Sequence, residues 1–189
     1  ESLPPLYLPH AREDEVEKVK KLIEETGLEG QKIVVVHISA GNKFRDWGVE
    51  NLIQLANLLG KKSGNKIVLV GAGEDQKASE EILKKSKAPL LSLVGRLNLR
   101  EVKELISRSS LFVGPDSGPM HIAASTSTPI VALFGPTLPA NFSPWQAKKA
   151  ILIEKEFGCR PCKQRRCLYE DFRCLRTITP EEVYKACLS

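Results

Sequence analysis

The sequence predicts an α/β protein in which a doubly wound parallel sheet carries helices on both faces. Short β-branched runs alternate along the chain with amphipathic segments of helical period. The clearest run, residues 33–36, is apolar at every position, which is typical of a strand buried on both faces of a parallel sheet. Turns rich in glycine and polar residues follow several of these runs.

The length and composition indicate a globular protein. The chain has 189 residues, 42% of them hydrophobic and 27% charged, which suits one domain with a substantial core. No apolar run approaches the length that crosses a bilayer, and residues 1–9 do not resemble a signal peptide, so we expect a cytoplasmic protein. Residues 1–10 are proline-rich and are expected to be an interdomain linker, with a single domain at 11–189.

The first elements are predicted from periodicity. A helix at 11–26 places Val16, Val19, Leu22 and Ile23 on one face and is ended by Gly27. The elements that follow are a strand at 32–37, a helix at 49–59, a strand at 66–70, a helix at 74–87, a strand at 90–94 and a helix at 98–107.

Capping signals mark the later helices. Asn98 and Glu101 have the spacing of a capping box at the start of the helix at 98–107. A terminal helix begins after Thr179, where Pro180 and Glu182 complete the start signal. Strands are predicted at 111–113, 129–134 and 151–154, with an ordered loop at 137–149.

The strand–turn–helix–strand unit at 113–137 is expected to carry the chemistry. Its turn presents Asp116, Ser117 and Gly118, and His121 follows in the first turn of the helix. Ligands of α/β sheets bind at the carboxyl ends of strands and the amino ends of helices. Free amides at a helix start also suit a phosphate group. By contrast, Gly71-Ala72-Gly73 lacks the third glycine of a dinucleotide fingerprint and is as readily a tight turn.

Three blocks together identify a family resemblance. The block VGPDSGPMHIAASTSTPIVALFGPT at 113–137 contains a DSGPMH turn and a closing TPIVALFGPT strand. The block at 37–52 has Arg45 two positions before Trp47, and the block VLVGAGED spans 68–75. In this order they are similar to the signature, the turn after the first carboxyl-domain strand and the acidic ribose-binding turn of glycosyltransferase family 9, the lipopolysaccharide heptosyltransferases. The resemblance runs from about residue 33 to the carboxyl terminus.

The resemblance implies the Rossmann-like donor-binding half of a GT-B enzyme. Such an enzyme transfers heptose, or a related sugar, from an ADP-sugar to the lipopolysaccharide core, with inversion and without a metal or other cofactor. The implied donor-binding residues are Ser39, Ala40, Arg45, Glu74, Leu97, Asp116, Ser117, Gly118, Pro119 and His121. The family's catalytic base and most of its acceptor site belong to an amino-terminal domain that these residues do not include. We therefore expect no catalytic residue in this chain.

Each implied residue has an expected role. Ser39, Ala40 and Arg45 would bind the diphosphate together with the amides near Gly118. Asp116 would orient the donor sugar with His121 beside it. The carboxylate of Glu74 would accept from the ribose, and Leu97 would contact adenine. Arg45 replaces the family's usual lysine, which keeps the charge but changes its geometry.

Structural interpretations compete with two of these roles. Asp116 is alternatively a helix cap, and His121 a hydrogen-bonded helix residue. Trp47 is expected to pack in the core rather than stack on a base. Two whole-chain alternatives also stand: another GT-B-like nucleotide-sugar enzyme such as an epimerase, and a non-catalytic binding module built around the cysteines.

A basic, cysteine-rich loop is expected at 159–176. Cys159, Cys162, Cys167 and Cys174 have the spacing C-x2-C-x4-C-x6-C, and Cys187 stands apart. Structural thiols or disulfides, a zinc site and a redox-active group all remain open, and no metal is the preferred interpretation. The positive charge of this loop suits an anionic acceptor or the inner membrane surface, or is simply solvated. Few aromatic residues accompany the charges, so no nucleic-acid partner is expected.

Overall fold

The computed structural model describes residues 8–61 and 64–189. In this part of the chain, six strands form one parallel sheet in the order β3-β2-β1-β4-β5-β6. The strands are β1 (Lys32–His37), β2 (Asn65–Val70), β3 (Leu90–Ser92), β4 (Leu111–Pro115), β5 (Ile130–Phe134) and β6 (Ala150–Glu154). The predicted doubly wound sheet is confirmed, since the chain runs outward from β1 to β3 and then returns to the other side of β1 at β4.

Helices cover both faces of the sheet. They are α1 (Glu13–Glu25), α2 (Val49–Gly60), α3 (Gln76–Lys85), α4 (Leu99–Ser107), α5 (Gly118–Ala124), α6 (Pro139–Phe142), α7 (Arg173–Arg176) and α8 (Pro180–Cys187). Single 3-10 turns lie at Lys43–Arg45 and Gly73–Asp75. Helices α1, α4 and α5 pack on one face, and α2, α3, α7 and α8 pack on the other.

Alternate residues of the central strands feed two separate cores. In β1, Val35 joins the core under α1, α4 and α5, whereas Val34 and Val36 join the core under α2, α3 and α8. Every residue of β4 and β5 is buried, while the edge strands β3 and β6 are partly exposed. Each buried aliphatic side chain of this kind stabilises the fold by roughly 1.5–3 kcal/mol, which explains why the central strands are apolar on both faces.

The winding direction changes between β1 and β4, and this positions the site. These strands are hydrogen-bonded neighbours in a register that pairs Val36 with Val113. Beyond that pair, β1 ends at His37 and β4 ends at Pro115. A crevice therefore opens at the carboxyl ends of the two strands, where parallel α/β sheets bind their ligands.

The structure differs from the sequence prediction in local boundaries. The helix predicted at 74–87 is divided, because the Asp75 carboxylate accepts from the Ala72 amide and the Ser39 hydroxyl, both at 2.8 Å, and holds a 3-10 turn before α3. Two short helices, α6 and α7, were not predicted. Helix α7 starts after Phe172, whose φ of 54° is left-handed, and the Asp171 carboxylate accepts from the Arg173 amide at 3.1 Å.

The capping predictions are confirmed. The Asn98 side chain accepts from the amides of Arg100 and Glu101, and the Glu101 carboxylate accepts from the Asn98 amide at 2.8 Å. Thr179 and Glu182 form the same arrangement at α8. Of the predicted linker, residues 1–7 lie outside the described residues, and residues 8–10 are in neither a helix nor a strand.

Candidate functional site

A cavity of about 440 Å³ lies at the carboxyl ends of β1, β2 and β4. It brings together predicted residues from four separate parts of the chain. These are Ser39, Ala40, Glu74, Leu97, Ser117, Gly118 and Pro119. The cavity also includes His37 and Asp75, for which no role was predicted. The remaining predicted residues, Arg45, Asp116 and His121, form a second group centred on the Asp116 carboxylate.

His37 and Ser117 meet in the wall of this cavity. The Nδ1 atom of His37 lies 3.2 Å from the Ser117 hydroxyl, which also donates to the Pro115 carbonyl at 3.0 Å. Both side chains are buried, and burial lowers the pKa of His37 to about 4, against a smaller opposing effect of Asp75. The imidazole is therefore neutral at pH 7, and as the Nδ1–H tautomer it would donate to Ser117.

The turn after β4 offers two amides to a ligand. Within the described residues, the amides of Ser117 and Gly118 have no hydrogen-bond partner. Those of Met120 and His121 both bond to the Ser117 carbonyl, at 3.1 and 3.4 Å, and Pro119 has no amide hydrogen. The expected set of free helix amides is thus smaller than predicted, because α5 begins with a tight turn and a proline.

The Ser39 hydroxyl is already engaged. It donates to the Asp75 carboxylate at 2.8 Å, and the same carboxylate oxygen accepts from Ala72. The neighbouring Glu74 is exposed and turns toward Gly41: a Cβ placed on Gly41 would lie 3.7 Å from its Oε1 atom. Asp75 therefore fixes the turn, and Glu74 is the carboxylate left to meet a ligand.

Arg45 and Asp116 are joined across the crevice. The Nη1 atom of Arg45 donates to the Asp116 carbonyl at 2.9 Å and lies 3.6 Å from the carboxylate oxygen Oδ2. That oxygen also accepts from the Thr137 hydroxyl at 2.7 Å. The His121 Nε2 atom lies 4.0 Å from the other oxygen, Oδ1. Ser117, not Asp116, is the N-cap residue of α5, so the alternative of Asp116 as a helix cap is wrong.

The wall at Leu97 is held by α1. Asn98 and Leu99 also line the cavity, and Leu97 packs against the core beneath α1 and α4. The Asn98 side chain donates to Glu15 at 2.9 Å, which ties the wall directly to α1. The Arg100 Nε atom donates to the same Glu15 carboxylate at 2.8 Å.

Glu15 is only 2% exposed despite its charge. The hydrogen bond from Arg100, followed by those from the Arg12 amide and Asn98, holds the pKa of this carboxyl far below its usual range. A second charged hydrogen bond joins the same two helices, from the Lys18 Nζ atom of α1 to the Glu101 carboxylate of α4 at 2.8 Å. Because buried charges require such partners, the α1–α4 contact is specific and keeps the Leu97 wall in one place.

The cysteine segment lies beside the site rather than in it. Cys159, Cys162, Cys167 and Cys174 line a separate cavity of about 220 Å³ together with Phe44 and Pro136. All five cysteines of the chain are free thiols, and burial raises the pKa of Cys174 and takes that of Cys187 to about 12. Among residues 8–61 and 64–189, no group of three or more His, Cys, Asp or Glu side chains is arranged to hold a metal ion.

Other sequence predictions can be placed in the same way. Trp47 is 2% exposed and its Nε1 donates to the Ile178 carbonyl at 2.8 Å, which confirms a packing role. No helix in the described part of the chain combines the length and the apolar character needed to span a bilayer.

Sequence reasoning assigned no role to His37, Asp75 or Thr137. A signal existed for His37, which is a polar residue closing an apolar strand run. Thr137 is the last residue of the motif block at 113–137, but nothing in the sequence indicated that its partner is Asp116, 21 positions away.

Comparison with known proteins agrees with this geometry. The model of glycosyltransferase family 9 (heptosyltransferase) matches residues 7–172. Lipooligosaccharide heptosyltransferase 2 of Campylobacter jejuni serotype O:2 is 30% identical over 159 residues, covering 82% of this chain and 49% of that protein. The enzyme of the same name from Haemophilus influenzae is 33% identical over 159 residues, covering 79% and 45%. The chain thus spans about half the length of the curated relatives it matches.

Solved structures show the same relationship. The Escherichia coli ADP-heptose lipopolysaccharide heptosyltransferase II superposes with a TM-score of 0.77 at 28% identity, covering 98% of this chain and 54% of that one. A family 9 glycosyltransferase from Veillonella parvula shares the fold, with a TM-score of 0.83 at 23% identity over 97% of this chain and 52% of that one. The matched motifs, the fold and the family model converge, and the chain belongs to glycosyltransferase family 9.

Proposed function

We propose that this chain is the donor-binding domain of a glycosyltransferase that transfers heptose, or a related sugar, from an ADP-sugar to a lipopolysaccharide core acceptor. The observation that carries the proposal is the crevice between β1 and β4. There the amides of Ser117 and Gly118, which have no partner among the described residues, belong to the cavity lining, and the Arg45 guanidinium donates to the carbonyl of the preceding residue, Asp116. Family membership supports this donor class, as does the similarity to the E. coli enzyme that is named for ADP-heptose.

Each group has a proposed role in binding the donor. The amides of Ser117 and Gly118 would donate to the diphosphate, and Arg45 would balance its charge as the sugar departs. Ala40 and Gly41 would close over the phosphates from the β1 side, with Ser39 as their anchor. We propose that these hydrogen-bond donors bind the diphosphate without a metal ion.

The sugar and the nucleoside would occupy opposite ends of the crevice. Asp116 would accept from sugar hydroxyls, with His121 and Pro119 shaping the same end. Glu74 would accept from the ribose, and the apolar wall at Leu97 would contact the base. This division follows the separation between the Asp116 group and the cavity that Leu97 lines.

The rest of the reaction requires groups beyond residues 1–189. The curated relatives are about twice as long as the part matched here. We propose that an amino-terminal domain supplies the carboxylate base and most of the acceptor site, that residues 1–10 lead from it, and that the transfer inverts the anomeric centre. We also propose that the enzyme works at the cytoplasmic face of the inner membrane.

The basic residues of the segment 159–176 would meet the anionic acceptor or membrane. Arg165 and Arg166 are both exposed, and the Arg166 side chain is 85% exposed. Replacing both with alanine is expected to weaken sedimentation of the chain with anionic liposomes, since each basic residue near such a surface contributes about 1 kcal/mol. Unchanged sedimentation would count against this part of the proposal.

Calorimetric titration with ADP, UDP and GDP tests the donor assignment. We expect ADP to bind at least about tenfold more tightly than the other two, a difference of about 1.4 kcal/mol, because the Leu97 wall is proposed to contact the base, the only part in which the three nucleotides differ. Absence of ADP binding, or equal binding of all three nucleotides, would overturn the assignment to an ADP-sugar.

A further inference from the structure

The cysteine-rich segment packs against the outer side of the donor site. Its backbone reaches the turn after β5, where the Cys162 amide donates to the Pro136 carbonyl at 2.9 Å. It also reaches the turn that carries Arg45: Asn42 donates to the Gln164 side chain at 2.8 Å. The segment thus touches both turns that flank Asp116.

Arg160 makes the innermost of these contacts. Its side chain is only 4% exposed. The Nη2 atom donates to the Thr137 carbonyl at 2.8 Å and to the Glu154 carboxylate at 2.7 Å, and Nη1 donates to the Lys155 carbonyl. A guanidinium that makes three hydrogen bonds restricts the backbone around Thr137 to one conformation.

Thr137 passes this constraint to the site. Its hydroxyl donates to the Asp116 oxygen Oδ2 at 2.7 Å, and Arg45 lies 3.6 Å from the same oxygen. The Asp116 side chain is 4% exposed. With Oδ2 engaged, the other oxygen, Oδ1, lies 4.0 Å from the His121 Nε2 atom.

We propose that the segment 159–176 positions the sugar-binding carboxylate of Asp116, with Arg160 as the positioning residue and Thr137 as the link. The described hydrogen bonds of Arg160 include none to a group that meets the donor, so its effect passes through Thr137. The proposal rests on the proposed donor function. It gives a role to the cysteine-rich loop that requires neither a disulfide nor a metal, because the loop acts through its packing and its buried guanidinium.

A carboxylate held from one side only would sample other rotamers. Sugar hydroxyls need an acceptor at a defined place, and small displacements of such groups weaken binding and slow transfer. No described hydrogen bond joins Thr137 to Gly118 or Leu97, where the diphosphate and adenine contacts are proposed. Loss of the Arg160 contact should therefore affect the sugar part of the donor and spare the nucleotide part.

The test compares binding of ADP with binding of ADP-heptose by the whole chain. In Arg160→Ala and Thr137→Val, the ratio of the ADP-heptose Kd to the ADP Kd is expected to rise about tenfold, with ADP affinity within about twofold of the wild type. Arg160→Lys keeps a cation for the Thr137 carbonyl, so its ratio should lie between those of the wild type and Arg160→Ala. Arg108→Ala, which removes an exposed arginine at the carboxyl end of α4, should leave it unchanged.

The outcomes separate the two proposals. Thr137→Val removes only the hydroxyl link, so it remains informative if Arg160→Ala fails to fold. An unchanged ratio in both variants, or an equal loss of ADP and ADP-heptose affinity, would overturn the positioning role while leaving the donor function intact. A wild-type chain that binds neither ligand would overturn both.

Discussion

The Arg45 Nη1 atom donates to the main-chain carbonyl of Asp116 at 2.9 Å and lies 3.6 Å from the Asp116 carboxylate, although the two residues are 71 positions apart in the chain. This contact joins the turn after β1 to the turn after β4. It also places the Arg45 guanidinium on the residue that precedes Ser117, and the amides of Ser117 and Gly118 have no hydrogen-bond partner among the described residues. The arrangement suits a bound diphosphate next to a sugar.

Replacing Arg45 tests its proposed charge on the diphosphate. Arg45→Ala is expected to weaken ADP binding by about tenfold to a hundredfold, since hydrogen bonds to charged groups contribute about 1.5–3 kcal/mol. Arg45→Lys should lie between the alanine variant and the wild type. The control is Lys43→Ala, which removes an exposed cation from the same turn. Equal ADP affinity in Arg45→Ala and Lys43→Ala, measured by calorimetry, would contradict the assignment.

His37 should make stability depend on pH. Its pKa is about 4 in the folded protein against an ordinary value of 6.5, because burial disfavours the charged form. As the pH falls below 6.5, the unfolded chain binds a proton at His37 that the folded protein does not. The free energy of unfolding is therefore highest above pH 6.5 and falls by about 3 kcal/mol in total between pH 6.5 and 4.

Urea unfolding across this pH range measures that effect. His37→Gln has no group that titrates there, so its free energy of unfolding should fall less steeply between pH 6.5 and 4 than that of the wild type. Parallel curves for the two proteins would show that His37 is not buried in its neutral form.

Gly114 is needed because β4 passes close to His37. A Cβ at Gly114 would lie 2.9 Å from the His37 Cβ and 3.2 Å from the Phe112 ring. Gly114→Ala is expected to destabilise the fold by about 1–3 kcal/mol, as overpacking of a core does, and to displace His37 from Ser117. Gly158→Ala is the matched control, since nothing lies within 4 Å of its Cβ position. Similar unfolding midpoints for the two variants would rule out the close approach.

The contact between Glu15 and the Leu97 wall predicts a selective loss of affinity. Glu15→Gln weakens the charged bond to Arg100 and should loosen Asn98 and the wall beside it. We expect ADP to bind several-fold more weakly and inorganic diphosphate to bind as in the wild type, because only ADP reaches the wall. Glu13→Gln changes an exposed carboxylate of the same helix and serves as control. Parallel losses for ADP and diphosphate would point to a general defect instead.

The elements of the fold were predictable from local pattern. β-branched runs such as the one ending at His37 specify buried strands, and capping residues such as Asn98 mark where helices start. The place of the turn at Asp116, between the end of β4 and the start of α5, was also predictable from the sequence, and its role in ligand binding stays a prediction.

The contacts within the site were not predictable in the same way. The bond from Thr137 to Asp116 and that from Arg160 to Thr137 depend on how β4, β5 and the cysteine-rich segment pack together. The spacing of residues along the sequence does not indicate which of these segments pack together. The adjacent carboxylates Glu74 and Asp75 illustrate the same limit, since only the tertiary turn decides that Asp75 binds Ser39 and Glu74 faces the cavity.

The most direct test of the donor site is the map of backbone amide chemical shifts during titration with ADP. The largest changes are expected at Ser117 and Gly118, at Gly41 and at Leu97. The opposite edge of the sheet offers a built-in comparison, since Lys32, Asn65 and Ser189 line another cavity of about 200 Å³ there. Changes confined to the crevice between β1 and β4 are the predicted result, and changes centred on Lys32, Asn65 and Ser189 would contradict the account.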